Sequence, residues 1–318
     1  MKHFVVGAMM LAATAVYAQD YPNKPIRVLV PFAPGGAVDT TARVLAQAMQ
    51  QRVNWQLVVD NRPGGNGFIA TTAVQKAAPD GYTLLMAHTG EFAVNPALFD
   101  NVPYELERDF APITMVSDAP MLYLAKAAAP FNNFKELIAA AKAKPNTITF
   151  GSAGNGSINH LAGEWLAQAA GIQLVHVPYK GGAPAAQAVA AGDVDFGVMA
   201  VPGALPHMKS GRGKVIGIST AKKSPLDASW ATPRDAGIPD LDASIWVGLF
   251  APKGTSQAIV DRINTEVRTT LADPEVKKRY VDIGSETAGM SQADFLTRIR
   301  QDAVRYKAVV KAANVKAD

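Results

Sequence analysis

The 318-residue chain contains no cysteine. That absence excludes a disulfide scaffold, thiolate metal sites, a thiol nucleophile and a lipid-modified N-terminal cysteine. Charge of one sign is scarce as well. The 31 basic and 27 acidic residues leave a net charge of only +4, with no basic run, so nucleic acid is not an implied partner. Nowhere do 18 apolar residues run unbroken, which is less than a membrane-spanning helix requires. The 26 glycines and 21 prolines are scattered rather than periodic, which excludes collagen-like and low-complexity classes. Charged residues are 18% against 48% hydrophobic. Such a chain can bury enough apolar surface to offset its conformational entropy, so general disorder is excluded.

At about 150 residues per domain the length suggests two domains. The N-terminus reads as an address. Met1-Lys2-His3 is a short positive start, Phe4 to Val16 is apolar, and Val16-Tyr17-Ala18 closes the stretch. This pattern predicts a secretory signal peptide over residues 1–18, cut after Ala18. The apolar stretch has about 13 residues, short of the ~20 that a bilayer needs. Polar Gln19 to Pro25 follows at once. The mature chain is therefore expected to be soluble and exported.

Along the mature chain, strand and helix patterns alternate. Ile26 to Val30, Leu57 to Val59 and Tyr82 to Ala87 read as strands, with helices over Val38 to Gln51 and Phe68 to Ala78. The middle repeats the scheme. Strands are expected at Thr147 to Phe150, Leu174 to Val177, Val194 to Ala200 and Lys214 to Thr220. Helices are expected at Phe134 to Lys144, Ile158 to Ala170 and Ala185 to Ala191. The tail reads as three helices: Ser256 to Leu271, Pro274 to Tyr280 and Gln292 to Ala312. This order predicts two parallel α/β sheets. Extended junctions at Pro120 to Lys126 and Ser244 to Phe250 would form two crossings, and the final helices would pack on the first lobe. The lobes would be 19–119 with 245–318, and 120–244, with a ligand crevice between them.

Catalytic signatures are weak. There is no Gly-x-Ser-x-Gly elbow, no phosphate loop and no Gly-x-Gly-x-x-Gly, so no nucleotide cofactor is expected. The histidines lack metal-ligand spacing, so no metal is expected either. What recurs is a glycine-rich loop between a strand and a helix start. Three occur: Phe32 to Asp39 (with Gly35, Gly36 and Ala37), Gly151 to Ser157, and Tyr179 to Gly182. Glycine permits close backbone approach, and first-turn amides with the helix dipole favour an anion. Ser152, Gly154, Asn155 and Ser157 join these candidates, the polar ones as neutral donors; the alternative is tight turns with Ser157 as a cap. Asp39 is either a helix-start partner or a cleft residue. His88 and Thr89 end the third strand, where cleft residues arise; the alternative for His88 is a structural hydrogen bond. Lys180 is a crevice cation or a surface lysine. Asp195, sharing a strand face with Asp193, either accepts from a ligand amine or belongs to a solvated pair.

Several ordered blocks resemble the Bug family, the substrate-binding proteins of tripartite tricarboxylate transporters. They include Tyr21 to Arg27, Val30 to Gly36 with Asp39 and Ala42-Arg43, Asp60 to Gly64, Pro79 to Leu85, Asn95-Pro96 and Asp109-Phe110. Gly151 to Ser157 with His160 to Glu164, His176 to Gly181, Trp246 and Ala251 to Thr255 agree too. The resemblance implies a periplasmic two-lobed binding protein of the Venus-flytrap, type II-like class, without cofactor, closing on a small carboxylate. It implies main-chain amides and neutral side chains around the carboxylate, with Phe32, Gly35, Gly36, Asp39, Ser152, Asn155 and Ser157 lining the site. It also implies integral-membrane transporter subunits as partners of a monomer. Where the family often has Thr-His, this chain has Glu91-Phe92. A Glu91 facing the crevice would repel a second carboxylate or favour an amine or hydroxyl. A sensor-kinase receptor and an exported hydrolase or isomerase using His88, Asp193 or Asp195 remain as alternatives.

Overall fold

The computed structural model describes residues 21–238 and 241–315. The expected signal segment 1–18 and its cleavage after Ala18 lie outside them.

The first βα units follow the expected order: β1 (Ile26–Val30), α1 (Ala37–Val53), β2 (Leu57–Asn61), α2 (Phe68–Gln75) and β3 (Thr83–His88). β1 pairs in parallel with β2 and with β3. Four of the five β1 residues are buried, the near-continuous apolar run expected of a parallel strand covered on both faces. In α1, Val38, Ala42, Leu45 and Met49 are buried at helical spacing, so one stripe of the helix faces the sheet. The helix stops at Asn54, which takes the left-handed conformation and donates its N–H to Met49 O. A π-helical turn at Gly90–Val94 then leads into α3 (Asn95–Leu98), followed by α4 (Leu106–Asp109).

β4 (Phe110–Lys126) differs from the expectation, which had only Pro120 to Lys126 extended. It is one strand of 17 residues. Phe110 to Pro120 pairs with β9 (Ser244–Pro252), which also pairs with β3. Met121 to Lys126 pairs instead with β7 (Phe196–Ala200) and β8 (Gly213–Ile218). One strand therefore serves two half-sheets, changing partners at Pro120/Met121. Its first half is hidden in the sequence, because Pro112 argues against a paired strand interior.

The second half-sheet holds β5 (Thr149–Ser152), parallel to both β6 (Val175–Pro178) and β7. Around it lie α5 (Phe134–Ala143), α6 (Ile158–Ala170), α7 (Gly182–Ala191) and α8 (Val201–Lys209). α8 has no counterpart in the sequence reading, since it carries Pro202 and Pro206. Pro202 is tolerated because it lies in the first helical turn. The chain ends with α9 (Gln257–Ala272), α10 (Pro274–Asp282), a two-residue β10 (Glu286–Thr287) on β4, and α11 (Gln292–Ala312).

Two buried clusters are local. One joins β1, α1, α9 and α10, and the other joins β4, α7 and α8. The largest instead runs from the first half-sheet into the second. α11 carries it across: Tyr306 meets Trp165 of α6 edge-on at 6.0 Å, and Phe295 meets Trp246 of β9 at 5.3 Å. The Arg298 guanidinium ties this helix to the crossing, donating to Asp302 and to Ser244 Oγ, each at 2.8 Å. Trp246 Nε1 donates to the same Asp302 at 2.9 Å. Burial pushes the Asp302 carboxyl above its ordinary range, against the pull of Arg298.

Candidate functional site

Parallel strands deliver their following loops to one edge, and ligands of open α/β sheets collect there. The loops after β1, β3 and β5 meet at such an edge around a cavity of about 510 Å³. Phe32, Asn66 and the segment from His88 to Phe99 contribute from the first half-sheet. Ala153 to Asn159 contributes from the second. His88 and Glu91 are the ionisable side chains among the described lining residues, and no lysine or arginine lines the cavity.

The second glycine loop is held from behind. Gly154 N–H donates to Ser152 Oγ at 3.2 Å, and Gly156 N–H to His160 Nδ1 at 3.1 Å. Ser157 caps α6, accepting from His160 N–H at 3.2 Å while its hydroxyl donates to Gly154 O at 2.7 Å. Ser152 Oγ lies 2.7 Å from His176 Nε2, and the His176 and His160 rings stack at 3.6 Å, 7° from parallel. Burial, with the neighbouring His160, pushes His176 down to about 4, so this imidazole is neutral at pH 7. The first two amides of α6, Ile158 and Asn159, have no recorded acceptor among the described residues, and both residues line the cavity. Unpaired first-turn amides in a cavity wall suit a carboxylate.

The first glycine loop is different. Gly35 N–H donates to Asp39 Oδ2 at 2.8 Å, and Asn61 Nδ2 and Arg43 Nε donate to Asp39 Oδ1 at 2.9 and 3.0 Å. Burial alone would raise the Asp39 carboxyl, but these donors outweigh it and hold it below the usual carboxylate range. The loop carries its own anion.

Of the candidates, Phe32, His88, Gly154, Asn155 and Ser157 line the cavity. Gly35, Gly36, Ala37 and Asp39 do not, because Asp39 folds the loop onto itself. Thr89 is buried behind the wall, donating to Ser244 O at 3.1 Å and accepting from Trp246 N–H at 3.0 Å. Ser152 is fully buried beneath the loop it braces. Lys180 is exposed and its loop faces elsewhere: Tyr179 N–H and Gly181 N–H bond the Ser152 and Ala153 carbonyls, both at 3.1 Å, as a buttress. Asp195 precedes β7 and so lies at the opposite edge of the sheet. There it pairs with Lys126 Nζ at 2.7 Å and accepts from Thr149 N–H at 2.9 Å. Strand alternation fixes the face of a residue but not the end of the sheet at which it sits.

Residues absent from the candidate set include Asn66, Val94, Asn95, Leu98 and Phe99. Asn66 sits in the Gly64 to Gly67 turn after β2, and the others lie on the π-helical turn, on α3 and just after it; only their position after a strand end marks them. Among the described residues no group of three or more His, Asp or Glu is placed to hold a metal ion, and no helix is long and apolar enough to cross a membrane.

Two half-sheets joined at a crossing, with a cavity at the strand ends between them, define the periplasmic-binding-protein class of α/β receptors. The comparisons agree. A family model described as "Tripartite tricarboxylate transporter family receptor" matches residues 41–315. BugT of Bordetella pertussis is 32% identical over 305 residues, covering 96% of this chain and 94% of BugT. Among solved structures, the periplasmic binding protein BugD is 33% identical, covers 94% of this chain and 100% of BugD, and superposes with a TM-score of 0.77. A Rhodopseudomonas palustris protein solved with adipate is 30% identical, with 93% and 99% coverage and a TM-score of 0.82. MatC of the same organism, solved with malate, is 30% identical with 91% and 100% coverage and a TM-score of 0.76. The chain belongs to the tripartite tricarboxylate transporter receptor family, the Bug proteins, whose members are periplasmic solute-binding receptors.

Proposed function

We propose that this receptor captures a small carboxylate in the cavity between its half-sheets and hands it to a tripartite membrane transporter. It works as a monomer without chemistry on the ligand. The observation that carries this reading is the cavity wall: unpaired α6 amides beside Ser157 and Asn155, with no arginine or lysine among the described lining residues. Relatives solved with adipate and malate support a carboxylate as ligand. In this reading residues 1–18 direct export to the periplasm and are removed after Ala18. Lobe 19–119 with 245–318 closes on lobe 120–244, and the membrane partner reads the closed form. Thermal shift against a broad set of organic and amino acids tests it, followed by calorimetry. At least one acid should bind with a Kd in the micromolar range or below, equivalent to about −8 kcal/mol or better. The radius in solution scattering should shrink on binding, and the acid should be recovered unchanged. No stabilising acid, or conversion of the bound one, overturns the reading.

A further inference from the structure

Glu91 is only 1% exposed, yet it belongs to the cavity wall. Its position is built. Gly67, in the left-handed region at φ +87°, leaves the room, since a Cβ there would stand 2.5 Å from Glu91 Oε1. The Tyr104 hydroxyl donates to the Glu91 carbonyl at 2.8 Å. Among the described residues the carboxylate engages His88. Oε2 accepts from His88 N–H at 2.8 Å and lies 2.7 Å from His88 Nδ1.

Two groups compete for that nitrogen, because Gly90 N–H also lies 3.0 Å from it. A carboxylate oxygen at 2.7 Å needs a proton between the two atoms, whereas the amide at 3.0 Å is the weaker partner. Satisfying the shorter, charge-assisted contact assigns the proton to Nδ1. In neutral imidazole that makes Nε2 an acceptor. The ring is 19% exposed, lines the cavity, and has no recorded hydrogen bond at Nε2 among the described residues. So this end of the cavity offers a ligand an acceptor backed by a negative charge. The α6 amides at the other wall offer donors.

Resting on the carboxylate reading above, we propose that the Glu91–His88 pair selects a ligand that carries a hydrogen-bond donor, an ammonium foremost, away from its carboxylate. Zwitterionic amino acids are then preferred over dicarboxylates of equal length. A second carboxylate at this end would meet Glu91 with no lysine or arginine among the described lining residues to offset it. The chain would thereby differ from relatives solved with adipate and malate.

Calorimetry on the whole mature chain tests this with straight-chain acids matched in length, whose far end is methyl, ammonium or carboxylate. The ammonium acid should bind at least about tenfold more tightly than the dicarboxylate. In Glu91→Gln, and independently in His88→Gln, that preference should shrink to about threefold or less. A wild-type chain that binds the dicarboxylate as well or better overturns the proposal, while the carboxylate reading stands. A preference unchanged in both variants also overturns it. If no acid of any end group binds, the carboxylate reading fails and this one with it.

Discussion

The two glycine loops that look most alike in sequence are unlike in use. Phe32 to Asp39 and Gly151 to Ser157 each link a buried strand to a helix. In the first, the loop's amide is answered from within by Asp39, itself paired with Arg43 and hydrogen-bonded by Asn61. In the second, two stacked histidines and a serine brace the loop from below, and the first amides of α6 stay open to the cavity. A helix start is an anion site only while no side chain of its own has filled it. The acidic residue in the first turn of α1 and its absence from the first turn of α6 separate the two cases.

The sharpest way to break this contrast is a matched pair of glycine substitutions. Gly156→Val places a branched side chain at φ +69°, with its Cβ 3.1 Å from Leu98 of the cavity wall. Carboxylate affinity should fall about a hundredfold or more, equivalent to about 2.7 kcal/mol. Gly35→Ala, at φ +86° with nothing within 4 Å of its Cβ, should cost about 1 kcal/mol of stability from backbone strain. Its affinity should stay within about threefold of the wild type. Equal losses in the two variants, read by calorimetry, would erase the distinction.

Next in size is Asp39→Ala. It strips partners from Gly35 N–H, the Asn61 amide and the Arg43 guanidinium. Urea unfolding should show a loss of about 2 kcal/mol. Carboxylate affinity should change far less than in Gly156→Val. A large gain in affinity would mean that the first loop binds anions once emptied, which sharpens the contrast rather than breaking it.

The smallest effect concerns acid. The native His176 titrates near 4, below the 6.5 of a free imidazole. Between those values the unfolded chain takes up a proton that the native chain refuses, so stability rises with pH across the window and is lost on acidification. Protonation would also fix a donor on Nε2, 2.7 Å from Ser152 Oγ. Urea midpoints at pH 7 and pH 4.5 should therefore differ less in His176→Gln than in the wild type. The second loop, and not the first, should loosen in hydrogen exchange as pH falls. An identical pH drop in the two proteins counts against the histidine brace.

Much of the fold was legible because it rests on local periodicity and caps. α6 begins and ends at Ile158 and Ala170, and α11 at Gln292 and Ala312, as their apolar spacing predicts. Serine caps at Ser157, Ser256 and Ser291 mark three helix starts. α8 and the first half of β4 escaped this logic, since their prolines contradict the local pattern and only neighbouring strands and helices hold them in place.

By itself the amino-acid order determined the alternation of strands and helices, the glycine loops at helix starts, and the ordered blocks that mark the family. These are short-range properties, set by backbone sterics and side-chain period. Tertiary structure alone decided which loop faces the cavity, that Asp195 stands at the far edge of its sheet, and that the His88–Glu91 segment reaches the same cavity as the start of α6. Those outcomes depend on strand order and on which end of a sheet a residue reaches. Both come from contacts between residues far apart in the chain, which no local pattern encodes.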